Sequence, residues 1–148
     1  GGTVSVRVLY EESLRVPAIV HAPQTRGAPT RITGLRQQVD LLPTLFDLLG
    51  YEVRDASLPG VSLFSPVPTD RTLYFGSNIE ESFLARRQGA AKHIYFYGRS
   101  PIEHYDLSAD AAEMKPIALH AAQIDEVAAE LLLWRQRSRL TWIAAPER

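Results

Sequence analysis

The sequence predicts a mixed α/β fold: a strand and a helix of an α/β layer, followed by a small four-stranded antiparallel sheet packed against a C-terminal helix. Three observations predict it. The run Leu14–Val20 is apolar apart from Arg15 and is followed by a helix-spaced stretch ending at Gly50. Between Thr72 and Asp106, short β-type runs recur at roughly ten-residue spacing with turn residues between them. Beyond Ala121, apolar residues recur at helical spacing for five or so turns, roughly the length of a long surface helix.

Leu14–Val20 reads LRVPAIV, with three β-branched residues. Continuous hydrophobicity predicts a strand covered on both faces, and Pro17, lacking an N–H donor, places itself at the strand's start or edge. Residues 23–33 are rich in Gly, Pro, Thr and Arg and read as a loop. Asp40 is then a good N-cap, Pro43 fits the first turn, and Leu42, Leu45, Phe46 and Leu49 share one face before Gly50 at the C′ position. The Pro-rich connection Tyr51–Asp70 separates two packing units. Thr72–Phe75, Ser82–Arg87, His93–Tyr97 and Glu103–Asp106 form the predicted meander. Ile124, Val127, Leu131 and Trp134 line the last helix, with acidic residues early and arginines late, as the helix dipole favours.

The chain has 148 residues, 45% hydrophobic and 22% charged, with a formal net charge of −1, so a single core suffices without staples. That charge balance argues against a dedicated nucleic-acid binder. The longest apolar stretches, such as Ala128–Trp134, fall far short of a membrane span. The absence of cysteine excludes thiolate metal sites and a cysteine nucleophile within these residues. The chain opens at Gly1 and reads as a piece of something longer.

Few residues suggest chemistry on their own. His21, His93, His104 and His120 show no metal-ligand spacing, although His21 closes the predicted buried strand, where ligands gather in α/β folds. Glu11 and Glu12 are adjacent and point apart, so Glu11 or Glu12 reads as a salt-bridge partner of Arg15 rather than the two as an acid/base pair. Tyr95-Phe96-Tyr97, near Lys92 and Arg99, could form a platform for single strands. Period-two alternation instead puts Tyr95 and Tyr97 under a covering helix and Phe96 on the opposite face. Phosphate loops and a G-x-S-x-G elbow are absent.

Several segments in one order carry more information. Tyr10-Glu11-Glu12-Ser13-Leu14-Arg15-Val16-Pro17 resembles the Y-E-E-x-[LI]-R-V-P segment of the sulfatase family, within the alkaline phosphatase superfamily. Val39-Asp40-Leu41-Leu42-Pro43-Thr44-Leu45 resembles its V-D-[LI]-x-P-T-[LI] helix, and Gly60-Val61-Ser62-Leu63 its G-x-S-L turn. Leu84–Arg87 with Lys92-His93-Ile94 is similar to its A-[VI]-R-x-G-x-x-K-[YF]-I hairpin. Glu103–Asp110 with Glu113 is similar to E-L-Y-D-L-x-x-D-P-x-E. Ala111 stands where that pattern has Pro, and Lys115-Pro116 where it usually has Asn-Leu.

The resemblance implies the C-terminal portion of a metal-dependent sulfatase-like hydrolase of sulfuric or phosphoric esters. Residues 1–58 would supply the terminal strand and helix of the large α/β domain, and residues 59–148 the C-terminal antiparallel subdomain with its long helix. It implies a divalent metal (calcium, zinc, magnesium or manganese) and a nucleophile, both held upstream of residue 1, so that this chain alone is inactive. Arg7 is the cation nearest the register at which the family binds the ester's anionic oxygens. The implied partners are the remainder of the parent domain and a sulfate or phosphate ester, with no nucleic acid and with a homodimer through the exposed strand. Within the family, likeness to bacterial-envelope members implies an extracytoplasmic, membrane-associated parent. A stand-alone interaction module is the second reading, and a phosphoglycerol or phosphoethanolamine transferase, which that likeness leaves open, is the third.

Overall fold

The computed structural model describes residues 9–21, 31–54, 58–76, 83–97 and 102–143, with side chains as far as residue 138. The chain divides into two compact units, Gly1–Val16 with Tyr74–Arg148, and Pro17–Leu73.

The first unit is built on the predicted sheet. β1 (Thr72–Gly76), β2 (Phe83–Gln88), β3 (Ala91–Phe96) and β4 (Glu103–Asp106) lie in sequence order. β2 and β3 pair antiparallel from Phe83↔Phe96 to Gln88↔Ala91, and β3 pairs with β4 from Ala91↔Asp106 to Ile94↔Glu103. The hairpin between β2 and β3 needs only Gly89-Ala90, because Gly89 adopts φ 57°, a conformation a side chain would strain.

Alternation along these strands divides the residues between two faces. One face carries Leu84, Tyr95 and Tyr97 and packs with Ile102 against the helix α3 (Ala121–Ile143), which contributes Ile124, Val127, Leu131 and Trp134. Tyr74 stacks on Trp134 at 5.3 Å. The tyrosines therefore sit in the core under the helix, as their alternation predicts. The helix lacks acidic residues in its first turn and basic ones in its last, so packing rather than dipole compensation holds it. Its Glu130 instead accepts from Tyr74 Oη at 2.6 Å and pairs with Arg86.

The opposite face carries Ala85, Ile94 and Tyr105 and is covered by Leu9, Tyr10 and Leu14, with Phe96 alongside. Here the structure departs from the sequence reading. Glu11–Leu14 forms a single helical turn, α1, closed by Arg15 N–H donating to Glu11 O at 2.8 Å. The run after it forms no strand: Val16 and Ile19 are 75% and 92% exposed. A strand is held by a neighbour's ladder, and among the described residues no segment pairs with this one.

In the second unit a 3₁₀ turn, Gln38–Asp40, leads into α2 (Leu41–Leu49), which ends at Gly50 with φ 71°, as its sequence predicts. The predicted apolar stripe is not its buried face. Leu42, Leu45 and Leu49 are exposed, and the fully buried residues are Asp40 and Thr44. Gly60 approaches the turn so closely that a Cβ there would lie 2.2 Å from Val39 O.

Leu131 is completely buried at the centre of the α3 face. Leu131→Ala is expected to destabilise the sheet unit by about 2–5 kcal/mol, read as a lower midpoint in urea unfolding.

Candidate functional site

The sheet's second face holds a buried charge cluster. Lys92 stands in phase with Ile94 on β3 and is fully buried, so its ammonium must find partners inside. It lies 2.7 Å from Glu113 Oε1 and 3.2 Å from Glu11 Oε1. Arg87, in phase with Ala85 on β2, donates to Glu11 Oε2 at 2.5 Å. Glu113 completes the arrangement by accepting the Glu11 backbone N–H on Oε2 at 2.5 Å. To reach it, Glu113 adopts φ 55°, a left-handed conformation that costs a non-glycine residue roughly 1–3 kcal/mol. Glu11 thus pairs with Arg87 and Lys92, not with Arg15 as its spacing predicts.

Beside the cluster, Tyr10 and Tyr105 both donate to Glu103 Oε2 at 2.7 Å. Burial, and then the Glu103 carboxylate, push the Tyr105 hydroxyl well above its usual range, so it remains a donor. A cleft of about 440 Å³ opens between the turns Tyr10–Arg15 and Ala111–Met114. Glu12 and Arg15 line it and are exposed.

On the α3 face, His93 is buried and stacks on its cross-strand partner His104 at 4.4 Å. Burial, the neighbouring Arg86 guanidinium and His104 push its pKa down to about 4. Arg86 Nε donates to His93 Nδ1 at 3.4 Å, which suits a neutral imidazole. His21 and His120 are exposed.

In the second unit the hub is Asp40. Its carboxylate accepts the N–H groups of Gln37 at 2.9 Å and Val61 at 2.8 Å, and both guanidinium nitrogens of Arg71 at 2.9 and 2.6 Å. Burial alone would raise this carboxyl, but Arg71 and the two backbone donors outweigh it and hold it below its ordinary value. Its side chain caps the 3₁₀ turn rather than α2. Thr44 Oγ1 donates to Asp40 O at 2.6 Å and accepts Leu63 N–H at 2.9 Å, so the helix and the Gly60–Leu63 turn are tied together.

Among the described residues no three His, Asp or Glu side chains are placed to hold a metal ion, and no helix is long and apolar enough to cross a membrane. Arg7 lies outside the described residues.

Residues 2–139 match the family described as N-sulphoglucosamine sulphohydrolase, C-terminal. The chain belongs to that family. Its kinship is thus with the C-terminal portion of sulfatases, as the motif order implies. An N-acetylglucosamine-6-O-sulfatase of Bacteroides thetaiotaomicron is 30% identical over 133 residues, covering 78% of this chain and 23% of the relative. This sulphohydrolase-family chain therefore spans about a quarter of that relative's length. A solved structure of a protein in complex with its substrate D-glucosamine-2-N,6-O-disulfate is 26% identical, with a TM-score of 0.43, covering 72% of this chain and 24% of that one.

The motif residues that carry the sulfatase resemblance here do structural work. Glu11, Lys92 and Glu113 knit the sheet face, and Asp40, Thr44 and Gly60 knit the second unit. The sequence reading passed over Lys92, Arg87 and Glu113 as a cluster. The available signal was two cations at inward strand positions, in phase with Ala85 and Ile94, which demand buried carboxylates.

Lys92→Met leaves two carboxylates without their shared cation and is expected to destabilise the sheet unit by about 3–5 kcal/mol in chemical unfolding. Between pH 6.5 and about 4 the unfolded chain protonates His93 while the folded chain does not. The contribution of His93 to stability is therefore present above pH 6.5 and falls by about 3 kcal/mol as pH drops to 4, and His93→Phe should flatten that part of the pH profile.

Proposed function

We propose that this chain is the C-terminal region of a sulfatase that hydrolyses sulfate esters of an amino sugar. Family membership and the N-acetylglucosamine-6-O-sulfatase relative support the substrate class. The observation that carries the proposal is the buried cluster in which Glu11, the first glutamate of the Y-E-E segment, is held by Lys92, Arg87 and Glu113. A domain with this arrangement fixes that segment of the chain, and the reaction centre is supplied elsewhere in the protein.

No trio of described side chains fits a divalent metal; on the motif order alone the metal and the nucleophile are assigned to the rest of the protein, and no chemical step is assigned to these residues. In the overall reaction water adds to sulfur, the ester S–O bond breaks, and the sugar oxygen leaves as a hydroxyl with inorganic sulfate as co-product.

The test is sulfate release from D-glucosamine 6-sulfate and N-acetylglucosamine 6-sulfate by the product of the whole reading frame, beside the 148-residue chain alone. Release by the former and none by the latter is expected. Turnover by the 148-residue chain, or transfer of phosphoglycerol or phosphoethanolamine in place of sulfate release, would overturn the proposal.

A further inference from the structure

The geometry points to an acid-operated latch on α3: a proton on His93 displaces Arg86, and with Arg86 goes the link that ties Glu130 of the helix to the sheet. Arg86, His93 and His104 are direct cross-strand partners and form one row across β2, β3 and β4. Alternation puts the row on the helix-covered face, in phase with Leu84, Tyr95 and Ile102. Arg86 is the bridging residue. Its Nε donates to His93 Nδ1 at 3.4 Å while its guanidinium pairs with Glu130 on α3.

An imidazole nitrogen that accepts a hydrogen bond has one lone pair to do it with. While His93 is neutral, Nδ1 accepts from Arg86 and the ring's own hydrogen lies on Nε2. The next proton has only Nδ1 to go to, so protonation and the bond from Arg86 exclude each other. The imidazolium also sets a second positive charge against the guanidinium. The titratable and charged groups around the row are Arg86 on β2, His104 on β4 with Asp106 acting on it further along that strand, Glu130 on α3, and Tyr74 on β1, which donates to Glu130. With His93 charged, Glu130 is left facing two cations that repel each other. The ring stacked on His93, His104 at 4.4 Å, brings no counter-charge.

Relief comes when His93 reaches water, and His93 is buried on the face that α3 covers. In the closed arrangement its pKa is held down to about 4, against 6.5 for an ordinary imidazole. A form with α3 lifted therefore gains on the closed form by roughly 300-fold as pH falls from 6.5 to 4. The Lys92 cluster lies on the opposite face of the sheet and takes no part.

The experiment is amide hydrogen exchange of the 148-residue chain at pH 7 and pH 4.5, corrected for the intrinsic effect of pH on exchange. Residues 121–138 are expected to exchange about tenfold or more faster in acid, measured against the β2–β3 hairpin. In a Trp142→Phe background the emission of Trp134 should shift to the red with them, as its stack on Tyr74 is lost. His93→Asn removes the titration and keeps an acceptor where Nδ1 was, so its α3 should show no acid response. If that variant does not fold, His93→Phe, which also cannot titrate, carries the same test. Arg86→Gln should loosen α3 already at pH 7. Unchanged exchange of α3 in acid, an acid response that survives the His93 substitution, or release of α3 and the hairpin at one rate overturns the inference.

Discussion

A lysine ammonium with no water around it sets the terms for the sheet unit. Lys92 occupies an inward position on β3, and a buried charge is tolerable only when it is paired and hydrogen-bonded. Glu11 and Glu113 meet that demand from two separate turns. Each turn is in consequence pinned to the sheet. Glu113 accepts an unfavourable backbone conformation to do so, and the single turn α1 acquires an anchor that four residues of helix could not provide alone. The cleft between the turns has its dimensions because both of its edges converge on the same cation.

The second unit follows the same rule with the signs exchanged. Asp40 is the buried ion, and Arg71, Gln37 and Val61 supply its donors. With Thr44 beside it, the start of α2 becomes the point to which the Gly60–Leu63 turn and the segment before β1 are tied. A motif read along the chain as a helix start is, in three dimensions, a polar clasp. Its leucines remain outside, because the buried side of this short helix is the one that carries Asp40 and Thr44.

The parts legible in the sequence are those governed by short-range periodicity. Alternation located the four strands and assigned Tyr95 and Tyr97 to the helix-covered face, and helical spacing found Val127 and Leu131. Gly50 marked the end of α2 through its backbone conformation. What escaped were pairings between residues far apart in the chain. Glu11 has Arg15 close by, yet its partners lie 76 and 81 positions away. Leu14–Val20 has the composition of a strand, but composition cannot provide a neighbouring ladder. The family motifs pointed to the residues that matter without revealing that they serve architecture.

The distances along the chain between these partners have a bearing on how the protein is made. A ribosome delivers Glu11 well before Glu113, 102 positions later, a lag of roughly 5–20 s at ordinary rates of synthesis. During that interval the β2–β3 hairpin, closed by a two-residue turn, can form from local contacts, and residues 17–73 contain all the partners of Asp40. The face of the sheet around Lys92 must wait, because its covering segment is emerging at one end while its last anchor is still being synthesised. Closing so long a loop adds only a logarithmic entropic cost, so the final state is little affected. The vulnerability is temporal: a nascent chain halted short of Glu113 presents Lys92 with half of its counter-charge missing.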